Sequence, residues 1–352
     1  SVQRAQGAFG DWSALPVRER ADIMRRAAEL MEHDCAELSG YCIHEAGKTL
    51  RDSVADVREA VDFCRYYAEQ AELLLNRSGD PPAPRGVVLC ISPWNFPVAI
   101  FTGQICAALV TGNTVLAKPA EQTTLTGLRV MQIFHRAGVP PAVLQSLLGP
   151  GEPVGEQLLP DRRVAAVMFT GSTAVARYIA RSLADRDGAR APLIAETGGQ
   201  NAMVVDSTAL LEKVVDDVIA SGFNSAGQRC SALRLLFVQE EIAESLIAML
   251  VGAMLELRIG DPRDPATDVG PIIDGEALAG LQRHAGYMET AGRLLYGCDL
   301  GDETGSGHYF APALYELEDI DRLPREVFGP IVHLIRYRAD ELHTLPGIIN
   351  ST

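Results

Sequence analysis

Cys230 lies in the stretch FNSAGQRCSALR, from Phe223 to Arg234. Of the seven cysteines it alone sits in a polar, glycine-bearing segment, after a predicted helix and just before a predicted strand. A small molecule can reach a thiol at such a junction, and turn amides there can stabilise a thiolate or an oxyanion. A free cysteine is also commonly a small buried hydrophobe, and residue type alone does not choose between the two. Glu196, in AETGGQN (Ala195 to Asn201), is a carboxylate beside paired glycines that let a ligand approach the backbone. That pattern suits a general base, and it equally suits a cap or turn residue. Asn95, in ISPWNFP (Ile91 to Pro97), offers side-chain N–H donors just after the apolar run Val87 to Ile91. The carboxyl edge of an open α/β sheet is where ligands bind, although a proline-bounded turn would use an asparagine in the same place.

Those residues need elements to carry them. Leu210 to Ser221 has Leu211, Val214, Val215, Val218 and Ile219 on one face and reads as a helix leading to Cys230. Arg234 to Val238 reads as the strand after it. Upstream, Asp22 to Tyr41 and Ser53 to Leu75 read as helices, the first with apolar residues at mixed spacings. Asn76 to Arg85, with Gly79, Pro81, Pro82 and Pro84, reads as a loop that no helix crosses. From Val87 strands and helices alternate: strands at Val87 to Ile91, Thr114 to Lys118, Val143 to Leu148 and Val164 to Phe169, and helices near Val98 to Val110, Thr124 to Ala137 and Thr173 to Leu183. A second set holds the strand Ala202 to Val205 and the helix Ile242 to Leu257. Such alternation predicts an α/β fold of parallel βαβ units with right-handed crossovers. The domain boundary is placed near Ala195, giving domains 1–195 and 196–352.

The chain has 352 residues and a net charge of −15, and no basic stripe is available to meet phosphates, which argues against a nucleic-acid partner. Scattered, odd-numbered cysteines suit a reducing compartment. No cysteine pair has zinc-finger spacing and the seven histidines form no local cluster, so no metal is expected. No signal peptide or bilayer-length apolar stretch is evident, and the default location is cytoplasmic. For a dinucleotide, the fingerprint G-x-G-x-x-G is absent; Gly149, Gly151 and Gly155 come near it with one residue too many. Gly171 and Ser172, between a strand and a helix, are the better phosphate site, because helix-start N–H groups face outward there. Lys118 and Glu121 read alone as an ion pair at a strand exit.

The three segments, in this order, resemble the aldehyde dehydrogenase superfamily. The likeness extends to GNTVLAKPAEQT (Gly112 to Thr123), FTGST (Phe169 to Thr173) and EVFGP (Glu326 to Pro330), and so runs over nearly the whole chain. The wording AETGGQNAM followed by SAGQRCSALR is most similar to the glutamate-semialdehyde dehydrogenase module of the bifunctional proline-catabolic flavoenzymes, the proline utilization A proteins. The resemblance implies a Rossmann-type NAD-binding domain over 1–195, in which residues 1–75 are helical and residues 76–85 form a shortened hairpin or loop. It implies a second α/β catalytic domain over 196–352, with more chain expected beyond both ends.

What the family does implies roles for particular residues. Cys230 would attack an aldehyde as thiolate, and Asn95 with the Cys230 N–H would hold the oxyanion. Arg229 is the adjacent cation, but turn amides are the preferred stabilisers of the thiolate. Glu196 would activate water to hydrolyse the thioester, and relatives that pass the acyl group to coenzyme A lack that acid. Lys118 and Glu121 would grip the adenosine ribose hydroxyls, which favours NAD over NADP. Ser92, Pro93, Trp94, Gly151, Gly171, Ser172, Thr197 and Gly198 would line the rest of the dinucleotide, with Glu326 and Phe328 at the nicotinamide ribose and ring. Phe96 and Ser231 would face the substrate, implied to be L-glutamate γ-semialdehyde. The rival readings are another hydrolytic aldehyde dehydrogenase, such as one for succinate semialdehyde, and a catalytically incomplete nucleotide-binding fragment. The resemblance further implies an FAD-bearing proline dehydrogenase module elsewhere in the parent polypeptide and a homo-oligomeric intact enzyme.

Overall fold

The computed structural model describes residues 1–77, 82–188, 190–301 and 304–351. By contact the chain divides into two units, Ser1–Ala46 with Ser53–Thr197 and Gly47–Asp52 with Gly198–Thr352. The division falls after Thr197, so Glu196 belongs to the first unit, and the short segment Gly47–Asp52 joins the second.

The first unit opens with helices α1 (Val2–Ala14), α2 (Val17–His33), α3 (Cys35–Ala46) and α4 (Leu50–Arg77). The single helix expected over Asp22 to Tyr41 is in fact two, broken at Asp34, whose backbone leaves the helix at φ −91° and ψ 16°. The carboxylate of Asp34 accepts from Arg129 Nη2 at 2.8 Å and from Arg136 Nη1 at 2.7 Å. The mixed apolar spacing shows the phase change, because the five-residue step from Leu30 to Cys35 spans the break. Helix α4 runs two residues into the expected Asn76 to Arg85 loop; residues 78–81, with Gly79 and Pro81, lie outside the described residues, and residues 82–85 carry no helix or strand.

Then follow β1 (Val87–Ile91), α5 (Ala99–Val110), β2 (Thr114–Lys118), α6 (Thr124–Ala137), β3 (Leu144–Ser146), α7 (Gly151–Leu158), β4 (Val164–Gly171), α8 (Thr173–Ala184) and β5 (Leu193–Thr197). The third strand is shorter than the Val143 to Leu148 run suggests. Helix α6 stops at Gly138, whose φ of 113° suits glycine alone. The strands form a parallel sheet in the order β3-β2-β1-β4-β5. Both faces are covered: Val88, Cys90, Val115 and Ala117 pack into one core cluster, and Val87, Leu89, Leu116 and Val167 into another. Continuous apolar strands are what a doubly covered parallel sheet requires.

The second unit carries β6 (Ala202–Val205), α9 (Leu211–Phe223), β7 (Leu235–Gln239), α10 (Glu240–Leu255), α11 (Gly275–Ala291), β8 (Arg293–Gly297), β9 (Ala313–Leu317), β10 (Ile331–Tyr337) and α12 (Leu345–Ile349). Its sheet runs β6-β7-β10-β9-β8, parallel except that β8 pairs antiparallel with β9. Among the described residues, no helix is long and apolar enough to cross a membrane.

One polar pair sits inside this second core. His333, fully buried on β10, places its Nε2 2.8 Å from Nε2 of His284 on α11, and its Nδ1 3.1 Å from the Arg234 carbonyl oxygen. A carbonyl can only accept, so His333 donates from Nδ1 and accepts at Nε2 from the His284 N–H. Burial pushes His333 down to about 3 and His284 down to about 4, helped by the nearby positive charge of Arg234 and Arg325 respectively. Unfolded imidazoles take up protons near pH ~6.5 while the folded pair stays neutral, so the unfolded chain binds more protons as the pH falls through that region. Unfolding by urea is therefore expected to show stability dropping steadily from about pH 6.5 to about pH 5. A flat profile there would mean that the pair accepts protons without loss.

Candidate active site

In the first unit the chain steps from β1 to β2 on one side of the sheet and returns to β4 on the other. That reversal opens a crevice beyond the carboxyl ends of β1 and β4, where open parallel sheets take their ligands. Ser92 to Phe96 leaves β1 at this point. Ser92 donates its N–H to the Lys118 carbonyl at 3.1 Å and its Oγ–H to Gln104 Oε1 at 2.8 Å. Gln104 in turn donates from Nε2 to Thr170 Oγ1 at 3.0 Å and to the Ile91 carbonyl at 3.3 Å, which laces the ends of β1 and β4 together. Asn95 is buried, and Pro93, Trp94 and Phe96 are half-buried around it. The carboxylate of Asp56 accepts from the Ala99 N–H at 2.8 Å and fixes the start of α5 just beyond.

Lys118, the last residue of β2, is buried; its ammonium donates to the Pro119 carbonyl at 3.0 Å and pairs with Glu121 at 3.3 Å. Gly151 opens α7 beside it, where a Cβ would meet Lys118 Cε at 3.8 Å. Lys118, Glu121 and Gly151 are thus brought together. Gly171 ends β4, and Ser172 caps α8 by accepting the Val175 N–H at 3.3 Å, so what Ser172 has left to offer an anion is its hydroxyl proton. Glu196 is exposed on β5, paired in register with Thr170, and its charge reaches Tyr67.

In the second unit the Cys230 loop is strained and bolted down. Ser225 and Ala226 hold φ of 53°, a left-handed conformation uncommon outside glycine, and Gly227 follows at 63°. The Asp52 carboxylate accepts from the Ser225 N–H at 2.9 Å, from Thr49 Oγ1 at 3.0 Å and from the Arg229 guanidinium. Gln228 donates to the Pro271 carbonyl at 3.2 Å and accepts from the Ile273 N–H at 2.9 Å. Asn201 Nδ2 donates to the carbonyls of Cys230 at 2.7 Å and Ala232 at 2.9 Å. Cys230 is half-buried and Ser231 is exposed. Arg229 therefore points toward Asp52.

Arg234, just before β7, is fully buried. It donates from Nη1 to the carbonyls of Gly227 at 2.8 Å and Gly329 at 3.0 Å, and from Nη2 to the Arg229 carbonyl at 3.0 Å and Glu326 Oε1 at 3.3 Å. Its guanidinium carbon lies 5.3 Å from the centroid of the Phe328 ring. Burial raises the Glu326 pKa, against the pull of Arg234 and the Gly199 N–H. A Cβ on Gly198 would come within 1.9 Å of Glu326 Oε2, so glycine there makes room for the carboxylate. A cavity of about 620 Å³, lined by His284, Tyr287, Arg325, Glu326 and Phe328 among others, opens beside this segment.

Sequence reasoning gave no role to Asp52, Asn201, Gln228 or Arg234. Asn201 and Arg234 lie inside the quoted motifs, and a polar residue next to a strand core was the available signal. Asp52 carries no local signal at all. Within the first unit a nucleotide fits: a buried ammonium with its carboxylate and a close glycine stand at a parallel sheet's ligand edge. Within the second unit a glycine-cleared carboxylate borders an open cavity. Among the described residues, no three His, Cys, Asp or Glu side chains gather to hold a metal ion.

Crevice, buried lysine and glycine-lined helix starts define a nucleotide-type α/β protein that also presents a thiol on a strained loop. The aldehyde dehydrogenase family model matches residues 1–348, and the chain belongs to that family. It is 51% identical over 360 residues to the bifunctional protein PutA of Salmonella typhimurium, covering 100% of this chain and 27% of that relative. The 1-pyrroline-5-carboxylate dehydrogenase of Geobacillus kaustophilus is 36% identical over 371 residues, covering 100% of this chain and 70% of the relative. Among solved structures, 1-pyrroline-5-carboxylate dehydrogenase from Thermus with bound NAD superposes with a TM-score of 0.90 at 32% identity, covering 96% of this chain and 68% of that one. The chain spans about a quarter of the length of the curated PutA relatives it matches.

Two glycines separate fold from site. A Cβ at Gly227 would sit 2.2 Å from the Gly329 carbonyl oxygen, backbone against backbone, at positive φ. Gly227→Ala is expected to cost roughly 2–4 kcal/mol in thermal unfolding. At Gly198 the obstacle is the tip of the flexible Glu326 side chain, so Gly198→Ala is expected to leave the melting temperature within a few degrees while displacing that carboxylate. Equal destabilisation by both would contradict the assignment.

Proposed function

We propose that the protein containing this chain oxidises L-glutamate γ-semialdehyde to L-glutamate with NAD, through a covalent adduct on Cys230. The observation that carries the reading is the Cys230 loop: a thiol just after the left-handed turn of Ser225 and Ala226, anchored by Asp52, Asn201, Gln228 and Arg234, in a member of the aldehyde dehydrogenase family. Strain retained at such a point marks function more often than folding need. Relatives named 1-pyrroline-5-carboxylate dehydrogenase support the substrate, since that imine is the cyclised form of the semialdehyde.

An aldehyde has no leaving group, so it must first become an adduct that can release hydride. The Cys230 thiolate bonds to the carbonyl carbon, and the resulting oxyanion is met by the Asn95 side-chain amide and the Cys230 N–H. NAD would supply the hydride acceptor that lets the oxyanion collapse to a thioester. Glu196 takes a proton from water, hydroxide adds to the thioester, and the thiolate leaves to restore Cys230. Lys118 and Glu121 would hold the adenosine ribose, Gly171 and Ser172 the pyrophosphate, and Glu326 the nicotinamide ribose, along with the other dinucleotide positions assigned above. Phe96 walls the substrate and Ser231 flanks it. The reading includes a flavin-bearing proline dehydrogenase module in the same polypeptide, self-association of the intact enzyme and a cytoplasmic location.

The direct test compares NADH formation by the intact protein with L-glutamate γ-semialdehyde and with succinate semialdehyde; a preference for the second overturns the substrate. Glu196→Gln is expected to keep a burst of NADH close to one per site while steady-state turnover falls on the order of a hundredfold. An unchanged steady state removes the role of that carboxylate. A carboxylate at Glu121 repels a 2′-phosphate, so kcat/KM for NAD should exceed that for NADP by on the order of tenfold or more. Comparable values for the two cofactors refute that placement.

A further inference from the structure

The Cys230 loop and the Glu326–Phe328 segment are distant in sequence, yet one side chain holds both. Arg234 donates from one guanidinium nitrogen to the carbonyls of Gly227 and Gly329, and from the other to the Arg229 carbonyl and Glu326. Arg229, the other cation near the thiol, is directed at Asp52 and Ser225.

We propose that Arg234 is a positioning residue that serves nucleophile and cofactor together: it fixes the peptide entering Cys230 and aims the Glu326 carboxylate. The inference rests on the reading in which Cys230 is the nucleophile and Glu326 meets the nicotinamide ribose. The planar fork is what makes the double duty feasible. Four acceptors from two segments lie within reach of its two terminal nitrogens, whereas a lysine offers one charged point and three donors.

The test uses the intact protein, with the rate of Cys230 alkylation by iodoacetamide followed by mass spectrometry at fixed pH, and NAD affinity by calorimetry. Selective Cys230 labelling and saturable NAD binding in the unmutated protein are required by the proposed function itself, and their absence overturns that reading directly. Given both, Arg234→Met is expected to slow Cys230 alkylation at fixed pH by about tenfold, because the carbonyls of Gly227 and Arg229 lose their donor. It is also expected to weaken NAD by about tenfold through the lost charge-assisted bond to Glu326. Arg234→Lys, a single charged point, should restore at most one of the two, because the fork does not return. Glu326→Gln should weaken NAD without slowing alkylation. A folded Arg234→Met with the original alkylation rate, or a folded Arg234→Lys with both original values, overturns the inference. So does failure of both variants to fold by circular dichroism, which would assign Arg234 to the fold alone.

Discussion

Arg234 is fully buried, and a guanidinium in that position is costly unless acceptors converge on its N–H groups. The second unit supplies them through strand register. β7 and β10 lie parallel with Leu235 opposite His333, and the His333 N–H donates to the Arg234 carbonyl at 2.9 Å. That pairing fixes where β7 begins, and the carbonyls of Gly227 and Gly329 then lie together at the guanidinium. The left-handed run from Ser225 to Gly227 is the backbone path by which the loop delivers its own carbonyls. The strain there is offset by charge-assisted bonds to Arg234 and by the Asp52 carboxylate on the Ser225 N–H.

The first unit reaches its site by topology and not through one side chain. In a parallel sheet every strand ends at the same edge, so Ile91, Lys118, Gly171 and Thr197 share it, Ile91 paired with Lys118 and Gly171 with Thr197. What requires side chains is joining the strand ends at that edge. Gln104 does this from helix α5 by satisfying Ser92, Ile91 and Thr170, which ties the end of β1 to that of β4.

This contrast explains what the sequence could disclose. The alternation of strands and helices from Val87 onward was readable, because period and glycine–proline punctuation are local properties, as at Gly138. The break at Asp34 left a trace in the five-residue apolar step from Leu30 to Cys35, but the arginines that meet its carboxylate lie on another helix and leave none. The surroundings of Glu326 are likewise nonlocal: a cation and a bare glycine elsewhere in the chain enclose it. Asp52 shows the limit most clearly: it reaches Arg229 from 177 positions away. The strands β8, β9 and β10 were not anticipated, being short runs that gain their apolar environment only from pairing.

The Arg234–Glu326 contact is worth weighing on its own terms. A buried ion pair contributes little net stability, since desolvating both charges consumes most of the attraction. Here it is also incomplete, with a single contact at 3.3 Å, carbonyls on the other terminal N–H groups and Nε buried without a partner. Carbonyl dipoles stabilise the cation without cancelling its charge. A bidentate carboxylate would take up both terminal nitrogens and leave no donor for the loop carbonyls. The single contact orients Glu326 while the remaining N–H groups hold the peptide before Cys230, which is the division of the fork that a shared positioning residue demands.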